Sequence, residues 1–230
     1  MRIDSTQFVR MIDQALLKPD VTLDDLAAFA EKCLAYQFKL ACVNSCHVAA
    51  LNRLLEGSGV LVGATVGFPF GTASSEAKCA EAHAAIADGA DELDMVINIG
   101  LLRSGKEAAV RADIAGVVRQ AQGHPVKVIL ENCYLTDEQK RIGCRLVAEG
   151  GAQFAKTSTG LATGGATVED VALMREATAG TAVHIKAAGG IRDAAAALAM
   201  IRAGASRLGI STGDRIADEF RSLYPDGVEL

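Results

Sequence analysis

The sequence predicts a single (β/α)8 barrel of the TIM type, formed by one domain spanning residues 1–230. Three observations carry that prediction. Short apolar runs alternate from end to end with Ala-rich amphipathic stretches, the order of a parallel sheet. The runs are almost continuously hydrophobic, as parallel strands covered on both faces are. About eight such units fill the chain, the count of a compact barrel. An open doubly wound sheet is the alternative, but it would want a GxGxxG turn after its first strand, and the sequence has none.

Taken in order, the strands are expected at 11–17, 39–44, 61–67, 92–98, 126–131, 154–158, 183–188 and 207–211. Helices are expected at 23–36, 74–89, 103–122, 137–150, 168–179 and 193–204, where apolar residues recur at three- and four-residue spacing. Ala87-Asp88-Gly89-Ala90, Gly150-Gly151-Ala152 and Ala203-Gly204-Ala205 each close a helix just before a strand. Glycine past a helix end supplies the left-handed cap, and alanine lets the chain turn back to the sheet.

Composition bounds the function. Half of the 230 residues are hydrophobic, yet only 4% are aromatic and tryptophan is absent, so the core is aliphatic. A formal charge of −5 argues against a nucleic-acid surface. The six cysteines form no CxxC pair and no cluster with histidine, which fits free thiols in a reducing cytoplasm. The first residues lack the basic start and apolar core of a signal peptide, and no apolar stretch reaches membrane-spanning length. No metal-ligand spacing appears among the four histidines, which favours a lysine-based mechanism over a metal-based one. No metal and no cofactor are expected.

Chemistry in such a barrel belongs at the C-terminal ends of the strands. Asp13, Asn44, Asp94, Asn98, Glu131, Lys156 and Lys186 all stand at or near such ends. Lys156 and Lys186 fall on two neighbouring strands, about 4.8 Å apart. A free lysine is neutral in only about one molecule in 2500 at pH 7. A second cation ~4 Å away contributes roughly 4 kcal/mol toward neutralising it at an effective dielectric of about 20. Burial adds to that, so one lysine can make its neighbour a nucleophile. The alternative is structural, with both lysines paired to Asp94 and Glu131 in a buried ion network. Asp94 would be paired under either reading, because a lone carboxylate among Met95, Val96 and Ile97 is costly to bury.

The turns after the last strands suit an anion. Gly189, Gly190 and Arg192 follow the seventh strand, Gly209 and Ser211 mark the eighth, and Thr159 and Gly160 follow the sixth. Backbone N–H groups at these places form the common phosphate site of barrels. The combination points to Schiff-base chemistry on a phosphorylated carbonyl compound.

Five segments, GFPFGTASSEAK, ELDMVINIG, KVILENCYLTDEQK, FAKTSTG and HIKAAGGIR, together resemble the deoxyribose-phosphate aldolases from about Ile12 to Thr212. The resemblance implies a metal-free class I aldolase cleaving 2-deoxy-D-ribose 5-phosphate to acetaldehyde and D-glyceraldehyde 3-phosphate. It implies Lys156 as the Schiff-base lysine, Lys186 as the lysine that lowers its pKa, and Asp94 as the proton relay. Asp13 and Cys42 would line the mouth of the site, and Thr159, Gly160, Gly189, Gly190, Arg192, Gly209 and Ser211 would hold the phosphate. Partners would be small phosphosugars and aldehydes, with no nucleic acid or membrane, and the chain would form a homodimer or homotetramer. The sequence departs from the common family pattern at Gln14 for His, Ala15 for Thr, Ser45 for Pro and Ala188 for Ser.

Overall fold

The computed structural model describes residues 2–230. In chain order the elements are β1 (Arg2–Ile3), α1 (Ser5–Val9), β2 (Ile12–Leu16), α2 (Leu23–Tyr36), β3 (Leu40–Val43), α3 (Val48–Leu54), β4 (Leu61–Val66), α4 (Ser75–Ala87) and β5 (Glu92–Val96). They continue with α5 (Ile99–Arg103), α6 (Glu107–Gln120), β6 (Val126–Ile129), α7 (Asp137–Glu149), β7 (Phe154–Lys156), α8 (Val168–Ala177), β8 (His184–Ala188), α9 (Ala194–Arg202), β9 (Ala205–Ile210), α10 (Gly213–Leu223) and β10 (Val228–Glu229). Strands β2 to β9 pair in sequence order, all parallel, and β9 closes onto β2, giving the predicted eight-stranded barrel.

All eight expected strands form, seven of them shorter than their apolar runs, while β9 starts two residues earlier than expected, at Ala205. Glu131 falls beyond β6, and Thr157 and Ser158 fall beyond β7. The six expected helices form as α2, α4, α6, α7, α8 and α9. Helices α1, α3, α5 and α10 and the antiparallel β1–β10 ribbon were not anticipated from the sequence. The first and third of those helices are a few residues long. The amphipathic α10 stands behind a Ser-Thr-Gly turn that reads as loop.

Local chemistry explains the starts of the helices. Thr22 and Thr136 each accept from the backbone N–H three residues on, while Asp25 and Gln139 reach back to complete capping boxes. Ser74, Thr167 and Asp193 cap α4, α8 and α9 by the same acceptance. Gly204 closes α9 at φ 117°, a conformation a side chain would strain.

Two layers of packing follow from strand alternation. Leu93 and Met95, Val126 and Val128, Ala155, Ile185 and Ala187, and Leu208 and Ile210 face the helices and join the aliphatic core. The intervening residues face the barrel axis. They include Leu40 and Cys42, Glu92, Asp94 and Val96, Lys127 and Ile129, Lys156, Lys186 and Arg207. The barrel interior is therefore charged, and its chemistry is set by which side chains meet there.

Candidate active site

The register of the sheet brings the two lysines together. Lys156 and Lys186 are direct partners across β7 and β8, and Ile129 on β6 is opposite Lys156 on the other side. Both Nζ atoms lie 2.7 Å from the same oxygen, Oδ2 of Asp94. Lys186 also reaches Oδ2 of Asp13 at 2.6 Å. The other Asp94 oxygen, Oδ1, accepts from Lys127 Nζ at 2.8 Å, and Lys127 touches Glu92 Oε2 at 2.6 Å. Arg207 completes the chain of charges. Its Nε donates to Asp13 Oδ1 at 2.8 Å, and its Nη2 bonds Asp13 as well and Glu92 at 3.0 Å.

Three of these residues were absent from the site expected on sequence: Lys127, Arg207 and Glu92, the last placed at or before the start of its strand. Glu92 is the first residue of β5, where its strand was expected to start, and it is buried. A signal was present: Glu92 and Asp94 are separated by two, and Lys127 interrupts an apolar strand at the inward parity. Asp13 also differs from the expectation. It lies near the start of β2 rather than at its C-terminal end, and it is fully buried in the ion network while still lining the cavity. The network is real, but Glu131 is not part of it. Glu131 accepts from the backbone N–H and the hydroxyl of Thr159.

Counting charge distinguishes the lysines. The carboxylates of Asp13, Glu92 and Asp94 face the cations of Lys127, Lys156, Lys186 and Arg207, so the cluster is one carboxylate short of balance. A buried cluster of this kind is relieved if one lysine gives up its proton. Lys156 has the weakest hold on its charge. It touches one carboxylate, whereas Lys186 touches two and Lys127 bonds both Asp94 and Glu92.

The electrostatics agree. Burial, then the positive charge of Lys186, outweigh Asp94 and hold the Lys156 ammonium below the ordinary lysine range. Burial also opposes the charge on Lys186, but Asp13 and Asp94 more than offset it and raise its pKa. Asp94 pays a desolvation cost, yet Lys127, Lys156 and Lys186 hold its carboxyl well below the usual carboxylate range. Cys42, buried beside this group, has its thiol pushed up to about 11 by burial and by Asp94, so it stays protonated at neutral pH.

Above the lysines opens a cavity of about 700 Å³. Its walls include Asp13, Cys42, Lys156, Thr159, Gly160, Lys186, Gly189, Gly190, Gly209 and Ser211. Gly189 has φ 82°, and a Cβ there would sit 3.2 Å from the backbone of both Gly160 and Gly165. A Cβ at Gly209 would stand 3.2 Å from Cε of Lys186. Small residues at these places thus let three turns converge at the mouth. Gln14 ties one of them down. It donates to Ser211 O and accepts from Gly213 N, both at 2.9 Å. Two expected anion contacts fall away. Arg192 is exposed and stands outside the cavity wall. Thr159 lines the cavity but has its N–H and hydroxyl proton committed to Glu131.

Comparison with known proteins decides the family. A family model described as DeoC/LacD family aldolase matches residues 8–217. The chain belongs to the DeoC/LacD aldolase family. The aldolase is 47% identical to the deoxyribose-phosphate aldolase of Coprothermobacter proteolyticus, over 94% of this chain and 98% of that one. It is 50% identical to deoxyribose-phosphate aldolase 1 of Bacillus licheniformis, over 90% of this chain and 93% of the relative. Among solved structures, the deoxyribose phosphate aldolase of Aeropyrum pernix superposes with a TM-score of 0.90 at 31% identity, covering 96% of this aldolase and 93% of that chain. A structure described as QR15, an aldolase, gives 0.89 at 38% identity, covering 94% and 97%.

Proposed function

We propose that this chain is a deoxyribose-phosphate aldolase, a class I lyase that reversibly cleaves 2-deoxy-D-ribose 5-phosphate to acetaldehyde and D-glyceraldehyde 3-phosphate during deoxyribose phosphate catabolism. The observation that carries the chemistry is the buried lysine pair sharing one oxygen of Asp94, with the charge of Lys156 the less well compensated.

The neutral amine of Lys156 attacks C1 of the open-chain aldehyde, and loss of water leaves a protonated imine. The imine draws electrons from the sugar chain. Two carbons depart as acetaldehyde, so the C2–C3 bond breaks while a base removes the C3 hydroxyl proton. The bonding pair becomes the C1–C2 double bond of an enamine, and C3 becomes the aldehyde carbon of glyceraldehyde 3-phosphate. Protonation of the enamine at C2 and hydrolysis of the imine release acetaldehyde and restore Lys156. Asp94 and Lys186, through water, carry these protons, the role their shared contact suits. Lys186 keeps its charge and holds down that of Lys156, while Asp13 and Cys42 border the reacting end.

The phosphate is held by backbone N–H groups of Gly160, Gly189 and Gly190, with Gly209 and Ser211 opposite. Among the described residues no protein acceptor meets those three N–H groups, which leaves them for a ligand. The whole chain, 1–230, acts as one domain, in the cytoplasm, where its six free cysteines stay reduced. It assembles as a homo-oligomer, as the Aeropyrum pernix aldolase, described as a tetramer, does. No nucleic acid or membrane takes part, and no described helix is long and apolar enough to cross a membrane.

Borohydride reduction in the presence of deoxyribose 5-phosphate, followed by peptide mass mapping, tests the mechanism. A stable adduct on Lys156 is expected. An adduct on Lys186 would exchange the roles of the two lysines, and no adduct on folded protein would discard the imine.

A further inference from the structure

A buried carboxylate next to the site has no part in the mechanism. Glu131 follows β6 by two residues and is buried, yet it forms no ion pair with any described residue. Its backbone is left-handed, at φ 56° and ψ 65°, a conformation that is unfavourable for a residue with a side chain and is kept only where the surroundings enforce it.

The surroundings do enforce it. On one side, Leu130 N donates to Lys156 O at 2.9 Å; on the other, Asn132 N donates to Thr157 O at 3.0 Å. Between these two bonds, the Glu131 side chain reaches the next turn. Its carboxylate accepts from Thr159 N at 3.2 and 3.3 Å and from Thr159 Oγ1. Thr159 Oγ1 in turn accepts from Leu161 N at 3.1 Å. The groups on both sides of Gly160 are therefore spent on one another, and the Gly160 N–H alone is left over. Gly160 packs on Gly189, and Gly189 is in contact with Gly165, whose neighbour Ala166 donates to Ala188 O and Gly189 O at 3.1 and 2.9 Å. The chain of contacts runs from Glu131 through Thr159 to the two turns that offer free N–H groups.

We infer that Glu131 is a positioning residue for substrate phosphate: by gripping Thr159 it presets the Gly160 and Gly189 turns, and so it sets the preference for phosphorylated over unphosphorylated sugar without touching either. This rests on the phosphate reading above. A preset cradle loses no conformational freedom on binding, which is where such a residue acts. A Glu131→Gln side chain keeps the size but turns one acceptor into a donor facing the Thr159 N–H, which disturbs the grip.

The test compares steady-state kinetics of wild type and Glu131→Gln on deoxyribose 5-phosphate and on deoxyribose, together with borohydride trapping of acetaldehyde on Lys156. The variant is expected to show a KM for the phosphorylated sugar raised by about tenfold, a loss worth one decade of affinity. Its activity on deoxyribose and its acetaldehyde trapping should match wild type. Equal losses on both sugars would make Glu131 a general structural support and overturn the inference, as would no loss on either. A wild type with no preference for the phosphorylated sugar would instead remove the phosphate reading beneath it. If Glu131→Gln does not fold, Thr159→Val should show the KM effect and Thr159→Ser should not, because serine keeps the hydroxyl. Matching kinetics in those two variants would equally overturn the inference.

Discussion

At the scale of the residue, the site depends on unequal sharing of charge. Lys156 and Lys186 are chemically identical and paired across adjacent strands, yet burial and contacts drive them apart. Lys156→Ala should abolish turnover and borohydride trapping while the circular dichroism spectrum stays native. Wild-type-like turnover in that variant would end the imine mechanism. Lys186→Met removes a like charge that holds Lys156 down, so the Lys156 pKa rises. The free amine is the reactive form, so the acidic limb of kcat/KM should move to higher pH. A limb that stays in place would show that burial alone neutralises Lys156. Asp94→Asn acts in the opposite sense on that pKa, because the carboxylate favours the charged amine. Its turnover should nonetheless fall by about 10²-fold or more through loss of the proton relay, with imine trapping retained.

At the scale of the element, the active-site strands are fastened from outside as well as from within. Lys78 on α4 is completely buried, and its Nζ bonds Asp113 Oδ2 on α6 at 2.7 Å and Val96 O at the end of β5 at 2.9 Å. Ser75 at the start of α4 holds the other oxygen of Asp113 at 2.8 Å. This buried pair joins two helices to the strand that carries Asp94. Removing one partner leaves an uncompensated charge, so Lys78→Met should destabilise the fold by about 3–5 kcal/mol in urea unfolding. The double variant Lys78→Met with Asp113→Leu should recover much of that loss, since apolar replacement of both partners is often near neutral. A double variant as unstable as the single one would show that the link to Val96, rather than the lone charge, carries the effect. Each piece was visible in the sequence as a charge on an Ala-rich helix, but only the packing of α4 on α6 brings them together.

At the scale of the whole molecule, the interior ion network links stability to pH. Asp13 and Asp94 have folded pKa values below those of the unfolded chain, held there by Lys127, Lys186, Lys156 and Arg207 against the cost of burial. Their contribution is therefore complete above the unfolded carboxylate pKa of about 3.9 and is lost as pH falls toward the folded values. Thermal unfolding should show stability level from neutral pH to about pH 5, then falling steeply in acid. On the alkaline side, Lys186 and Lys127 are raised by their carboxylates, so their contribution is complete below about pH 10.4 and is lost above it. The acid limb should be shallower in Asp94→Asn, because that variant has one fewer depressed carboxylate. An unchanged limb would place acid sensitivity at the surface.

The sequence by itself determined the barrel and the reaction class. Continuous apolar runs at regular spacing admit only parallel strands packed under helices, and the lysines announce themselves because charge is expensive inside such runs. Strand parity also puts Asp94, Lys156 and Lys186 on the inward face, since alternation is a property of the chain alone. What the tertiary structure decided is who meets whom. Sheet closure and register, not local sequence, bring Asp13 of β2 to Lys186 of β8 and Arg207 of β9, and place Lys127 and Glu92 beneath Asp94. The same long-range geometry turned Thr159 from a ligand donor into a partner of Glu131 and left Arg192 in solvent. Charge balance in a buried cluster depends on every group present, and the members of this one lie up to 194 residues apart in the chain.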